Sequence, residues 1–386
     1  MIYLDNASST IMYDGILDEM IPFFKHQYGN PSSIHKLGRL SNTAIKKAKK
    51  QIAYLINSKP EEIYITSGGT ESNNTVINSI SCNKYKNHII TSAIEHDSVL
   101  QSCKKLEQNG FRITYLKVSD DGLIDPQNIA ELITDKTYLV SIMHVNNEIG
   151  TIQPIHKISE ICHSKNVLFH SDAVQSAGKI NIDVQNSKID MLTLSSHKIN
   201  GPKGVGALYI KTGVKILPFI MGGGQQNGFR SGTENVANIV GFGIACKLTT
   251  DNILKNSTHC NTLKNYLSYQ ILHQIPYTKL NGTQELRVSN NLNFSFLGVN
   301  GEDLINKLDE HEIFVSTGSA CKSNTKKASH VLKSMGLSYE RINSSIRITI
   351  GIHNTMDEMK YVVVVLKKII EELRHDSPFK YKYDFK

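Results

Sequence analysis

Seven short β-rich runs alternate with helical stretches between about residues 40 and 245, and this alternation limits the chain to few architectures. The runs are Ile63-Tyr-Ile65, His88-Ile-Ile90, Ile113-Thr-Tyr-Leu116, Tyr138-Leu-Val-Ser-Ile142, Val167-Leu-Phe169, Met191-Leu-Thr-Leu194 and Gly206-Ala-Leu-Tyr-Ile210. Strands separated by helices of this length predict a mostly parallel sheet covered on both faces, an α/β fold. At 386 residues the chain is long enough for two domains. After about residue 250 the texture becomes a helix-strand mixture, with strand-like Asn291-Leu-Asn-Phe-Ser-Phe296 and Ser345-Ile-Arg-Ile-Thr-Ile350 and a last helix from Met356 to Leu373. That half reads as a smaller α+β domain. No internal repeat or low-complexity segment breaks the pattern.

Ligands on such sheets bind beyond the carboxyl ends of strands. The chemically capable residues follow that rule. Ser67-Gly-Gly-Thr70 follows one strand, Glu95-His96 another, His144 to Asn147 a third, and Asp172 and Lys198 two more. Paired glycines running into a helix let backbone N–H groups approach an anion, and the helix N-terminus adds a favourable dipole, so Gly69 and Thr70 suit a phosphate. A carboxylate at a buried strand end needs a cationic partner, which points Asp172 at a protonated ring nitrogen, although an N-cap for the next helix is the plainer alternative. Gln175 stands three residues on, one helical turn away if a helix begins there. Lys198, after Ser195, Ser196 and His197 and before Gly201-Pro-Lys-Gly204, is a lysine suited to carbonyl chemistry. Cys321 sits in Val315-Ser-Thr-Gly-Ser-Ala-Cys321-Lys-Ser323, a Gly/Ser-rich run near Lys322, Lys326 and Lys327, where a thiol is placed to ionise rather than to pack.

Composition narrows the class. No stretch approaches the ~18 apolar residues of a membrane span. The opening Ile2-Tyr-Leu4 has no basic or apolar leader pattern, so a cytoplasmic location is expected. The six cysteines are scattered without a CxxC pair or zinc-like spacing, which fits a reducing compartment and no metal site. The net charge of +8 is dispersed, with one local cluster at Lys46, Lys47, Lys49 and Lys50 that reads as a solvated helix face. Direct nucleic-acid binding is not expected.

These motifs resemble those of the NifS/IscS-type cysteine desulfurases, fold-type I pyridoxal-phosphate enzymes of the class V aminotransferase family. The resemblance runs over nearly the whole chain: Tyr3-Leu-Asp-Asn-Ala7, Gly29-Asn-Pro-Ser-Ser-Ile-His35, Thr66 to Asn74, Glu95-His96, His144 to Gly150, Asp172 to Gln175, Ser195 to Gly206, Gly222-Gly-Gly224, Arg230 to Asn235, Ser316 to Cys321 and Ser345-Ile-Arg347. It implies a large domain over residues 14–253 and a small one formed by 1–13 and 254–386, the latter carrying the cysteine loop at about 315–332. It implies that Lys198 holds pyridoxal 5'-phosphate, that Asp172 pairs with the ring nitrogen, that Gln175 bonds the ring hydroxyl, and that His96 stacks on the ring and helps move protons. Gly69, Thr70, Ser195 and His197 would hold the phosphate, with Thr233 reaching in from the second subunit of a homodimer. Asn147, Arg347 and Asn30 would bind the substrate, L-cysteine. Cys321 would take its sulfur as a persulfide, leaving L-alanine, and pass it to an acceptor protein in iron–sulfur cluster assembly, tRNA thiolation or DNA phosphorothioation. The loop resembles the long-loop group that hands sulfur directly to partners, though Thr325-Lys326-Lys327-Ala328 replaces a Leu-Glu-Pro-like stretch and Ile11-Met12 a usual proline region. Selenocysteine lyase, another pyridoxal-phosphate lyase or aminotransferase, and a non-catalytic assembly subunit are the alternatives.

Overall fold

The computed structural model describes residues 1–83, 85–317 and 328–375. After β1 (Ile2–Tyr3), the chain builds a seven-stranded sheet from β2 (Ile63–Thr66), β3 (His88–Ser92), β4 (Arg112–Leu116), β5 (Thr137–Ser141), β6 (Leu168–Asp172), β7 (Met191–Ser195) and β8 (Gly206–Ile210), in the order β2-β8-β7-β6-β5-β3-β4. All seven predicted runs form strands of this sheet. Every residue of β3, β5, β7 and β8 is buried, which is why these strands read as continuous apolar and hydroxyl runs rather than as alternation. Pleating divides each strand between two cores. Leu192 and Leu194 join Ile52, Phe169, Tyr209 and Phe242 on one face, while Met191 and Leu208 join Val76, Ile77 and Val99 on the other.

The strand β8 runs against both its neighbours. Only residues 196–205 separate it from β7, too short for the crossover that a parallel pairing needs. Lys198 lies on this tight reversal, in the single turn Ser196–Lys198. The sheet is flanked by α1 (Ile16–Lys25), α2 (Lys36–Leu55), α3 (Gly69–Asn78), α4 (Asp97–Gln108), α5 (Pro126–Leu132), α6 (Ile155–Ser164) and α7 (Val236–Asp251).

From α8 (Ile253–Gln274) onward the chain forms a second assembly. Strands β9 (Thr278–Leu280), β10 (Asn291–Phe296) and β12 (Ser345–Thr349) make an antiparallel sheet with β10 central, and β11 (Ile313–Phe314) pairs in parallel with β1. Leu292, Phe294 and Phe296 of β10 pack with Ile346 and Ile348 of β12, with α8, with α9 (Gly301–Glu310) and with α12 (Met356–His375), and Ile2 and Leu4 join them. The alternate residues of β10 and β12, among them Asn293 and Arg347 in direct register, form the other face. Two short helices, α10 (His330–Ser334) and α11 (Tyr339–Asn343), add Val331, Leu332 and Ile342 to a small core with Ile94 and Ile149. Among the described residues no helix is long and apolar enough to cross a membrane.

Candidate active site

A cleft of about 310 Å³ opens where the carboxyl ends of β3, β5, β6 and β7 face β12, and its wall includes His96, Asn147, Asp172, Gln175, Ser195, Lys198 and Arg347. Lys198 Nζ donates to the carbonyls of Ala7, at 2.6 Å, and Ser8, at 2.7 Å. The N-terminal segment thus crosses over the reversal after β7 and fixes the amine at the cleft wall. Gln175 Nε2 donates to the same Ala7 carbonyl at 2.9 Å. Lys179 lies behind, its Nζ 3.5 Å from the Lys198 carbonyl, and burial followed by the Lys198 charge lowers it to about 8. Lys198 therefore has a second cation close behind it.

Asp172 is the last residue of β6, so the strand runs three residues further than the apolar run Val167-Leu-Phe169 suggested. Its carboxylate accepts from Asn73 Nδ2 at 2.7 Å and from the Val174 backbone N–H at 2.9 Å. Both donors are neutral. Among the described residues this buried carboxylate has no cationic partner, although a charge out of water calls for one. Beneath it lies Glu95, fully enclosed, which accepts from Ser92 Oγ at 2.6 Å and from the Met143 N–H at 3.0 Å. Burial, with the Asp172 charge adding, raises Glu95 to about 8, so Glu95 is mostly protonated at neutral pH.

His96 is the N-cap of α4: its Nδ1 accepts from the Ser98 N–H at 3.1 Å and lies 2.8 Å from Ser98 Oγ, which holds the ring in the cleft wall. At one end the cleft meets a second, more open hollow of about 370 Å³ lined by Gly69, Thr70, Ser195, His197 and Lys203. Gly69 and Thr70 are the first residues of α3, so the donor end of that helix points here. Gly68 before them has φ 152°, a conformation that side chains rarely adopt, and a Cβ on Gly206 would meet the Gly68 Cα at 2.7 Å. The glycines thus let two backbones touch under the hollow. Burial, then the Lys198 and Lys203 charges, lower His197 to about 4, which keeps its ring neutral.

The opposite wall carries Arg347, 3% exposed, whose guanidinium reaches Asp5 Oδ1 at 2.7 Å, Ser8 Oγ at 2.8 Å and the Asn147 carbonyl at 3.0 Å. Read locally it would be a surface ion-pair residue. Strand alternation instead turns it from the core of Leu292, Phe294, Ile346 and Ile348 toward the large sheet, where its Nε has no hydrogen-bond partner among the described residues.

The structure therefore gathers Lys198, Asp172, Gln175, His96, Gly69, Thr70, Ser195, His197, Asn147 and Arg347 around the joined cleft. It does not bring Asn30 or Thr233 to the wall: both are exposed, and Asn30 Oδ1 caps its own turn by accepting from the Ser32 N–H at 3.0 Å. Cys321 falls in residues 318–327, outside the described residues. Asn73, Ser98 and Asp5 hold Asp172, His96 and Arg347 and received no role from the sequence, although Asn73 and Asp5 stand inside the motifs quoted above. Their only local signal is a polar side chain at a helix start or strand end.

The sequence profile described as aminotransferase class-V matches residues 2–362. The chain belongs to the class-V aminotransferase family. Among curated proteins it is 46% identical to the cysteine desulfurase IscS of Clostridium botulinum, over 98% of this chain and 96% of that protein. It is 44% identical to the cysteine desulfurase IscS of Dictyoglomus turgidum, over 99% and 98%. Among solved structures a NifS-like protein superimposes with a TM-score of 0.91 at 36% identity, covering 96% of this chain and 99% of the other. This class-V enzyme uses pyridoxal 5'-phosphate, and its cleft fits that group. The uncompensated buried carboxylate of Asp172 matches a protonated ring nitrogen, and the start of α3 with neutral His197 and Lys203 matches a phosphate.

Proposed function

We infer that the two walls of this cleft form one active site for taking sulfur from L-cysteine, with Cys321 as the thiol that receives it. The chain is a pyridoxal-phosphate-dependent cysteine desulfurase. The observation that carries the assignment of roles is the convergence of Lys198, Asp172 and Arg347 on a single cleft from three separate parts of the chain. When bound, the cofactor supplies an electron sink for bonds at the substrate α-carbon. Lys198 Nζ would hold the cofactor, and the same amine would carry the substrate α-proton. Asp172 would keep the ring nitrogen protonated, Gln175 would bond the ring hydroxyl, and His96 would cover the ring face. Gly69, Thr70, Ser195 and His197 would hold the phosphate, Arg347 would fork onto the substrate carboxylate, and Asn147 would orient the substrate.

The Cys321 thiolate attacks the substrate sulfur. An S–S bond forms, the substrate C–S bond breaks with its electron pair left on carbon, and protonation of that carbon and of the α-carbon releases L-alanine. L-cysteine plus the Cys321 thiol thus become L-alanine plus a Cys321 persulfide, with no external oxidant or reductant. Four of the other thiols are poor rivals: burial holds Cys103 and Cys162 up at about 12 and Cys260 at about 11, and raises Cys246 as well. Free buried thiols also suit the reducing cytoplasm.

A homodimer completes the site, with Thr233 of a second copy reaching the phosphate hollow. Its support is the exposure of Thr233 together with exposed Leu217, Phe219 and Met221 nearby in the chain, Phe219 lining a hollow beside His96 and Thr70. Domains at residues 14–253 and at 1–13 with 254–386 agree with the separate cores. The persulfide passes to an acceptor protein. Mass analysis after L-cysteine treatment tests the reading: Cys321 should gain one sulfur atom. Alanine release with no sulfur on Cys321 would contradict it.

A further inference from the structure

We propose that Glu148 and Ser329, with His330, are positioning residues for sulfur transfer: they tie the C-terminal root of the Cys321 segment to the two loops that carry His96 and Asn147. This rests on the reading that Cys321 is the sulfur-accepting thiol. The Ser329 Oγ donates to Glu148 Oε2 and accepts from the Leu332 N–H at 3.1 Å, capping α10. His330 Nε2 lies 3.0 Å from the carbonyl of Glu95, the residue before His96. Val331 and Leu332 then pack against Ile94 and Ile149, one from each loop.

The N-terminal root is tied to the same place. Ser316 and Arg347 exchange two backbone hydrogen bonds, at 3.2 and 2.6 Å, and Arg347 Nη1 donates to the Asn147 carbonyl at 3.0 Å. The Asn147-Glu148 peptide therefore joins both roots: its carbonyl side meets the arginine next to one, and its glutamate side chain holds the other. One short strut thus holds both Ser316, through Arg347, and Ser329.

A purely structural role for Glu148 fits poorly. The side chain is 2% exposed, and among the described residues Ser329 is the only side chain hydrogen-bonded to its carboxylate. Burying a carboxylate on one hydroxyl costs stability, whereas Val331 and Leu332 already supply apolar packing at this junction. What a directional hydrogen bond adds is register. Small misplacement of a reacting group is expensive, about 100-fold for 1 Å.

The test compares the holoenzyme with Ser329→Ala, Ser329→Thr and Glu148→Gln, using two substrates. L-cysteine requires the Cys321 thiol; β-chloro-L-alanine loses chloride by elimination and requires no thiol. The proposal expects Ser329→Ala to form the Cys321 persulfide between about tenfold and 100-fold more slowly. KM for L-cysteine and turnover of β-chloro-L-alanine should stay near native, Glu148→Gln should be intermediate, and Ser329→Thr should restore the rate. Native persulfide formation in both Ser329→Ala and Glu148→Gln would overturn it. So would a parallel loss with both substrates in every soluble variant, which marks general damage. Absence of persulfide in the native chain would instead sink the underlying reading of Cys321.

Discussion

The two walls of the cleft are built differently. On the large-sheet wall each reactive group sits at a strand end or on the turn just after it: Asp172 ends β6, Ser195 ends β7 and His96 caps the helix that follows β3. On the opposite wall Arg347 lies mid-strand and is held by Asp5, Ser8 and Asn147, distant in sequence. The first wall is a preorganised cofactor site whose charges are matched by backbone position. The second, on the reading proposed above, presents Arg347 to the substrate carboxylate and is joined through Ser316 to the segment that carries the thiol. Their duties should be separable.

The sharpest separation comes from Lys198→Ala and Cys321→Ser, each expected to lower desulfuration by more than about 10⁴-fold, because each removes a group that forms a covalent bond. They should differ in absorbance. Lys198→Ala should lose the absorption of the lysine-bound cofactor, while Cys321→Ser should retain it; equal loss in both would erase the distinction between the walls.

Asp172→Ala comes next, with kcat lower by about 10² to 10³-fold and weaker cofactor retention in dialysis, since the ring nitrogen loses its counter-charge. Arg347→Lys should act on the other wall. KM for L-cysteine should rise between about tenfold and 100-fold as a forked hydrogen bond becomes a point charge, with cofactor content unchanged. Cofactor loss in Arg347→Lys, measured by absorbance, would show that the walls are not independent.

The smallest effect concerns Glu95 and stability. Its folded-state value of about 8 lies above that of an ordinary carboxyl group. As pH rises through the ordinary value the unfolded chain releases this proton while the folded one keeps it, so stability falls until folded Glu95 also ionises near 8. Glu95→Gln should therefore gain Tm relative to the native chain between about pH 5 and 8, and the gain should then level off. A Tm difference independent of pH would contradict the buried neutral acid.

The same contrast governs what the sequence reveals. The large-sheet wall is legible because helix-separated apolar runs place strand ends, and a short reversal such as 196–205 marks where Lys198 must stand. Only boundaries slip, as at Asp172. The supports are hidden, because nothing local to Asn73 says that it meets Asp172 across the strand order, nor that Glu148 meets Ser329. Arg347 illustrates both: its alternation within β12 is visible, but burial of that face depends on a domain contact. Cys321 is conspicuous through its Gly/Ser-rich setting, yet the residues on either side of its segment, Ser316 and Ser329, find partners far along the chain in Arg347 and Glu148.

The most direct measurement is a single turnover of L-cysteine on Cys321→Ser at full cofactor occupancy, following absorbance and alanine together. If the walls divide the work as described, L-cysteine perturbs the cofactor absorbance at the native rate and no alanine appears. Alanine released at the native rate, or an absorbance that no longer responds to L-cysteine, would contradict that division.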